Sequence, residues 1–101
     1  MCYTSAMIVH IETLRWDSWN IAHIARHAVV PEEVEAVCRG PAIARTTYDK
    51  RILIIGPTAK GRLLAVVLAP ENAGHWYPIT ARPASRAERR IYRIEQGGEE
   101  L

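Results

Sequence analysis

Residues 51–82 read R-I-L-I-I-G-P-T-A-K-G-R-L-L-A-V-V-L-A-P-E-N-A-G-H-W-Y-P-I-T-A-R, and this stretch decides the fold. Arg51 to Gly56 and Arg62 to Ala69 are nearly continuous apolar runs, the pattern of central strands. Pro57 to Gly61 and Pro70 to Gly74 separate them as turns, and His75 to Arg82 follows as a third strand. Pro78 has no N–H to give a ladder, so that strand lies at an edge or carries a bulge. Ala42 to Tyr48, joined to Arg51 by a tight turn at Asp49-Lys50, adds a fourth strand upstream. The connections are short, so this meander is antiparallel.

Helices flank the strand block. Met7 to Trp16 reads as a first strand, and Asp17 is a good N-cap for a helix over Ser18 to His27. Its apolar side is Ile21, Ile24 and Ala25, with Asn20, His23, Arg26 and His27 opposite. After a break at Ala28 to Val30, Pro31 sits in the first turn of a second helix, where Glu32 and Glu33 suit its dipole. Val34, Val37 and Cys38 form its buried face, and Gly40-Pro41 ends it. Ser85 and Glu88 make an S-x-x-E capping box, which starts a third helix at Arg86 that runs to about Gln96. At about 100° per residue, Ala87, Ile91 and Ile94 form its docking seam, and Tyr92 falls on the far side with Glu88 and Glu95. The expected order is β-α-α-β-β-β-β-α, an α+β domain whose antiparallel sheet has helices on one face and is partly open on the other. Residues 1–6 read as a loose start and residues 97–101 as a mobile acidic tail of this single domain.

The chain has 101 residues, enough for one core, and its apolar content of 49% suits a globule. Its charge is unevenly spread. Residues 1–44 carry net −2, residues 45–93 carry +7, and residues 94–101 carry −3. A polyanion is the natural partner of the central block. There are eleven arginines against two lysines, five of the arginines between Thr80 and Arg93. A guanidinium is a permanently charged planar fork that matches phosphate oxygens two at a time. An arginine-favouring genome also produces such a skew. Cys2 and Cys38 have no metal-ligand spacing, and with no membrane-spanning or signal pattern the chain reads as cytoplasmic.

Two arginines stand out for chemistry. Arg62 opens one central strand and Arg82 ends its antiparallel neighbour, so the two are expected to meet as a phosphate clamp. Snorkelling at a sheet end is the plainer reading. His27 is the candidate general acid or base, because its ordinary pKa lies nearest neutrality, and a capping or core-edge histidine that steadies the turn into the second helix is the plainer reading. Tyr92 can stack on a base or assist proton transfer, or simply pack. Arg86, Arg89 and Arg90, with Arg51 and Lys60, are candidates for flanking phosphates, and Arg86 and Arg90 equally suit an acidic protein partner. His23 and His27 with Asn20 have helical spacing for a metal, but lack cysteine or carboxylate partners, so neither metal nor cofactor is expected. Trp16 and Trp19 read as core or staple residues, and Trp76 and Tyr77 as base-stacking or partner-contacting ones.

The ordered set of motifs resembles the BrnT-type toxins. W-D-x-x-N (Trp16, Asp17, Asn20) and R-H-x-V with a following E-E (Arg26, His27, Val29, Glu32, Glu33) are similar to the front half of that family. I-G-x-x-x-x-G-R-L-L (Ile55, Gly56, Gly61 to Leu64), then T-A-R-x-A and R-x-E-R-R-x-Y (Arg82, Arg86 to Tyr92), are similar to the back half. The resemblance implies a RelE-like fold and a metal-independent endoribonuclease. It also implies a bacterial toxin of a type II pair, silenced by a DNA-binding antitoxin, as a homodimer or a toxin–antitoxin hetero-oligomer. Departures lie at the short Asp49 loop, at Pro83 where lysine is common, and at His75 to Pro78. They suit the alternative of a non-catalytic module of the same fold that binds RNA or an antitoxin.

Overall fold

A computed structural model describes residues 10–96, and the strand block forms its middle. The elements are β1 (Thr13–Leu14), α1 (Ser18–Ala25), α2 (Pro31–Arg39), β2 (Ile43–Thr46), β3 (Ile52–Pro57), β4 (Leu63–Asn72), β5 (His75–Pro83) and α3 (Arg86–Gln96). One five-stranded sheet has the order β1-β5-β4-β3-β2. β2 to β5 are the expected antiparallel meander, and β1 adds a parallel edge through Thr13 and Leu14 against His75 and Trp76. The fold is α+β. The expected first strand is thus cut to two residues of Met7–Trp16, of which residues 7–9 lie outside the described part, as do the expected loose start and acidic tail. Among the described residues no helix is long and apolar enough to cross a membrane.

Alternation along β3 and β4 builds two cores. Ile52, Ile54, Leu64, Val66 and Leu68 point to one face, beneath Ile24 of α1 and Val34, Val37 and Cys38 of α2. Ile55 points to the other, with Ile43, Ala84, Leu53, Leu63 and Tyr92 of α3. Helices therefore cover both faces, not one as expected. The cause is the exit from β5: Ala84 is buried on the second face and its N–H bonds the Leu63 carbonyl at 3.0 Å, which delivers the chain to that side before α3 begins.

α3 is also turned over relative to its apolar pattern. Glu88, Tyr92 and Glu95 face the body, whereas Ile91 and Ile94 are 37% and 46% exposed. The Tyr92 ring packs on Ile43 and Ile55, and its hydroxyl donates to the Pro41 carbonyl at 2.6 Å. Glu88 and Glu95 each reach a strand arginine, Arg82 and Arg45. One aromatic ring plus two ion pairs outweigh a seam of one alanine and two isoleucines.

β5 carries the bulge that Pro78 called for. The register steps from Val67↔Thr80 to Leu68↔Pro78, which leaves Ile79 without a partner on β4. Asn20 fixes this spot. It is fully buried; its Oδ1 accepts from the Asp17 N–H, and its Nδ2 donates to the carbonyls of Arg15 (3.0 Å) and Pro78 (3.1 Å). Asp17 Oδ1 accepts from the Asn20 N–H in return, closing a capping box at the start of α1. Downstream, α1 stops at Ala25, short of the expected His27, because Ala28 takes a left-handed φ of 59°. The turn between β2 and β3 places Asp49 and Lys50 at φ of 63° and 60°, the left-handed pair that matches strand twist.

Replacing Asn20 with alanine orphans one N–H and two carbonyls at once and removes half of a cap. The expected loss is about 3 kcal/mol, read as a lower midpoint in urea unfolding with an unchanged m-value.

Candidate nucleic-acid interface

β4 and β5 set the geometry of the arginines. Ala65 pairs with Arg82 and Leu64 with Pro83, so Arg82 shares the face of Ala65, the second face. Arg62 precedes Leu63 and reaches over the first face. Its Nη1 donates to the Ala28 carbonyl (2.9 Å), its Nη2 to the His27 carbonyl (3.2 Å), and Glu33 lies at 3.4 Å. Arg62 and Arg82 lie on opposite faces of the sheet, so the expected clamp is not formed. The Ile79 bulge is the reason. Trp76 and Pro78 face the first core, and with uninterrupted alternation Arg82 would share their side. One extra residue sends it across.

The other nominated residues divide the same way. His27 is exposed beyond the end of α1, its ring edge-on to that of His23 at 6.4 Å, on the side of Arg62. Lys60, in the turn before β4, borders a cleft of about 300 Å³ with Val30 and Glu33, again on that side. Tyr92 belongs to the second face with Arg82. Burial pushes its phenol pKa up, and its hydroxyl is committed to Pro41. Arg89 donates to the Ala84 carbonyl at 2.9 Å, while Arg86 and Arg90 are exposed on α3. Asn20 is turned into the core and does not join His23 and His27. Trp16 packs on the core and donates to Glu35, and Trp19 is 55% exposed, stacked on His23 at 4.8 Å. Trp76 packs on the core, and Tyr77 donates to Asp17 under the Arg15 guanidinium.

Arg82 is held firmly. Its two terminal nitrogens donate to the two Glu88 oxygens at 2.8 and 2.9 Å, a fork-to-fork pair. Glu88 also accepts from the Ser85 N–H, while Ser85 Oγ accepts from the Glu88 N–H, so the α3 capping box orients the pair. The Arg82 hydrogen bonds hold the Glu88 carboxyl down at about 2, with the Ser85 bonds adding to the effect against partial burial. In turn Glu88 raises the Arg82 pKa, so the guanidinium stays charged.

The second face carries more than Arg82. Ile43, Ile55, Ala65 and Arg82 form one cross-strand row, where Tyr92 packs. Arg45, Leu53, Val67 and Thr80 form the next, and Arg51 lies beyond it with Thr47 and Tyr48 around a shallow cleft of about 290 Å³. Arg45 is held by Glu95 at 2.7 Å. Arg45 of β2, Arg82 of β5 and Arg51 just before β3 thus border a floor of Leu53, Val67 and Thr80. Arg45 was not among the nominated residues. Its signal was available: it alternates in step with Ile43 on one strand. Among the described residues no cluster of three or more metal-ligating groups occurs.

No known family model matches this chain, and no curated protein is found to be similar to it. The likeness to BrnT-type toxins rests on the motifs alone.

The Glu88–Arg82 pair makes a pH prediction. A carboxyl depressed to about 2 in the folded protein, against an ordinary 4.5, adds stability above pH 4.5 that is lost as pH falls toward 2. Glu88→Gln removes that acid-limb dependence and lowers neutral-pH stability by on the order of 1 kcal/mol, a discount that reflects solvent screening at Arg82. Thermal melts at pH 7, 4.5 and 3 check it: the wild-type and variant melting temperatures converge toward low pH.

Proposed function

We propose that the protein is a RelE/BrnT-like toxin component that takes single-stranded RNA across the uncovered part of its second sheet face. The observation that carries this reading is the set of Arg45, Arg51 and Arg82 around the half-buried Leu53, Val67 and Thr80. Guanidinium forks grip phosphates, and a floor without aromatic or charged side chains lets a chain of nucleotides lie close to the sheet. From β2 to β5 the face spans about 14 Å at roughly 4.8 Å per strand. In the cleavage this reading implies, the ribose 2′-hydroxyl gives its proton to water as its oxygen bonds to phosphorus, and the departing 5′-oxygen takes a proton from water, leaving a 2′,3′-cyclic phosphate and a free 5′-hydroxyl. Arg51, which has no carboxylate partner among the described residues, supplies the uncompensated positive charge, and Arg82, its charge offset by Glu88, offers the crowded phosphate its outward N–H groups. A cognate DNA-binding antitoxin would silence the protein by covering the same arginines.

A second reading is favoured by one observation. Arg62 and His27 stand on the other side of the sheet from Arg82 and Tyr92, so the two halves of the expected chemistry are apart. That arrangement suits a module of the same fold that binds RNA or its antitoxin without cutting.

Induction of the isolated gene in a bacterium, with RNA integrity followed alongside binding of the purified protein to a single-stranded RNA, separates the two. Binding should weaken with salt, and Arg45→Ala, Arg51→Ala and Arg82→Ala should each weaken it by roughly 5- to 20-fold. Arg62→Ala should lower the melting temperature and leave RNA affinity unchanged. Growth arrest with chelator-resistant RNA loss, abolished by Arg82→Ala, supports the nuclease; salt-sensitive binding without RNA loss supports the module. If RNA does not bind at physiological salt, or Arg62→Ala alone abolishes binding, the sheet-face assignment is wrong.

A further inference from the structure

The outward side of α3 is left unused by both the fold and the sheet face. Ala87, Ile91 and Ile94 line one flank of the helix and are exposed, although they are its only aliphatic side chains. Arg86, Arg90 and Arg93 run beside them, one to each turn, also exposed. Among the described residues none of these three arginines makes an ion pair or a side-chain hydrogen bond, whereas Arg15, Arg39, Arg45, Arg62 and Arg82 are each paired with a carboxylate. From Ala87 to Ile94 the stripe is about 10 Å long at 1.5 Å per residue.

We propose that this face of α3 docks an acidic amphipathic helix of a partner protein. The partner's aliphatic side chains would cover Ala87, Ile91 and Ile94, and its carboxylates would run along Arg86, Arg90 and Arg93. Charge complementarity decides the occupant. A second copy brings its own arginine row to the same place, and like charges at close range oppose that pairing. A nucleic acid satisfies the arginines and leaves two isoleucines in water. A lipid surface needs a broader apolar face with aromatic anchors, which a stripe of one alanine and two isoleucines does not supply. An acidic helix satisfies both the row and the stripe, by the helix-on-helix recognition of anchors spaced three and four residues apart. The surface lies on the helix side turned away from the sheet, so the inference stands whether or not the second face binds RNA.

The test uses the full chain and a synthetic helix of about 18 residues, long enough to fold on contact, with leucines at three- and four-residue spacing and glutamates on both flanks. Controls are the same composition scrambled, the same pattern with lysine for glutamate, a single-stranded RNA, and vesicles of anionic phospholipid. Binding is read by fluorescence anisotropy and self-association by sedimentation. The patterned acidic helix should bind at least roughly tenfold more tightly than the scrambled one. The double change Ile91→Ser with Ile94→Ser, and separately Arg86→Gln with Arg90→Gln and Arg93→Gln, should each weaken it by about tenfold. All five positions are exposed, and circular dichroism verifies that the variants keep the wild-type fold. Equal binding of the scrambled peptide would reduce the surface to an unspecific charge patch and overturn the proposal. It would also fall if only RNA or vesicles bind through these residues, or if the wild type sediments as a dimer that Ile91→Ser with Ile94→Ser dissociates.

Discussion

The knot between Asn20 and Pro78 governs the rest of this molecule. A buried side-chain amide cannot be left with unmet hydrogen bonds, and Asn20 meets its own by closing the α1 cap and holding the carbonyls of Arg15 and Pro78. Pro78 has no N–H to lose, so it fits the position next to an unpaired residue, and Ile79 becomes the bulge. From that residue onward β5 alternates out of step with its own beginning. The side chains that reach the second face after the bulge are those of Thr80 and Arg82.

The same shift distributes the charge. Arg62, on the first face, is a staple: it satisfies two carbonyls of the elbow between α1 and α2, where Ala28 is held in a left-handed conformation. Arg45 and Arg82, on the second, are each held by a carboxylate from α3. The elbow thus spends one arginine on structure and the α3 junction two, and the sheet face that remains uncovered is bordered by guanidinium groups already fixed in place. Fixed donors lose little freedom when an anion arrives.

Much of this was legible in the sequence, and the failures have one kind of cause. The four-strand meander followed from two apolar runs bounded by proline and glycine, the third helix from Ser85 and Glu88, and the tight turn from Asp49-Lys50. Pro78 announced either an edge or a bulge, but periodicity alone could not choose, and the choice decides on which side Arg82 emerges. The face of α3 was misread because a helical wheel weighs aliphatic side chains and is blind to partners elsewhere in the chain. Tyr92 found Pro41, Glu88 found Arg82, and Glu95 found Arg45. His27 was placed inside a helix that ends before it, since nothing in the sequence marks Ala28 as left-handed. Long-range pairing and a one-residue insertion are what local patterns cannot carry.

α3 rests on the sheet through one ring, that of Tyr92, and two ion pairs, and it has no fully buried residue of its own. Lifting it away would return Ile43 and Ile55 to water together with the Tyr92 ring, while β2 to β5 would keep their cover of α1 and α2 on the larger core. In the hierarchy of local openings that every native protein samples, this helix is the shallowest step among the three, a hinged flap on an otherwise intact frame.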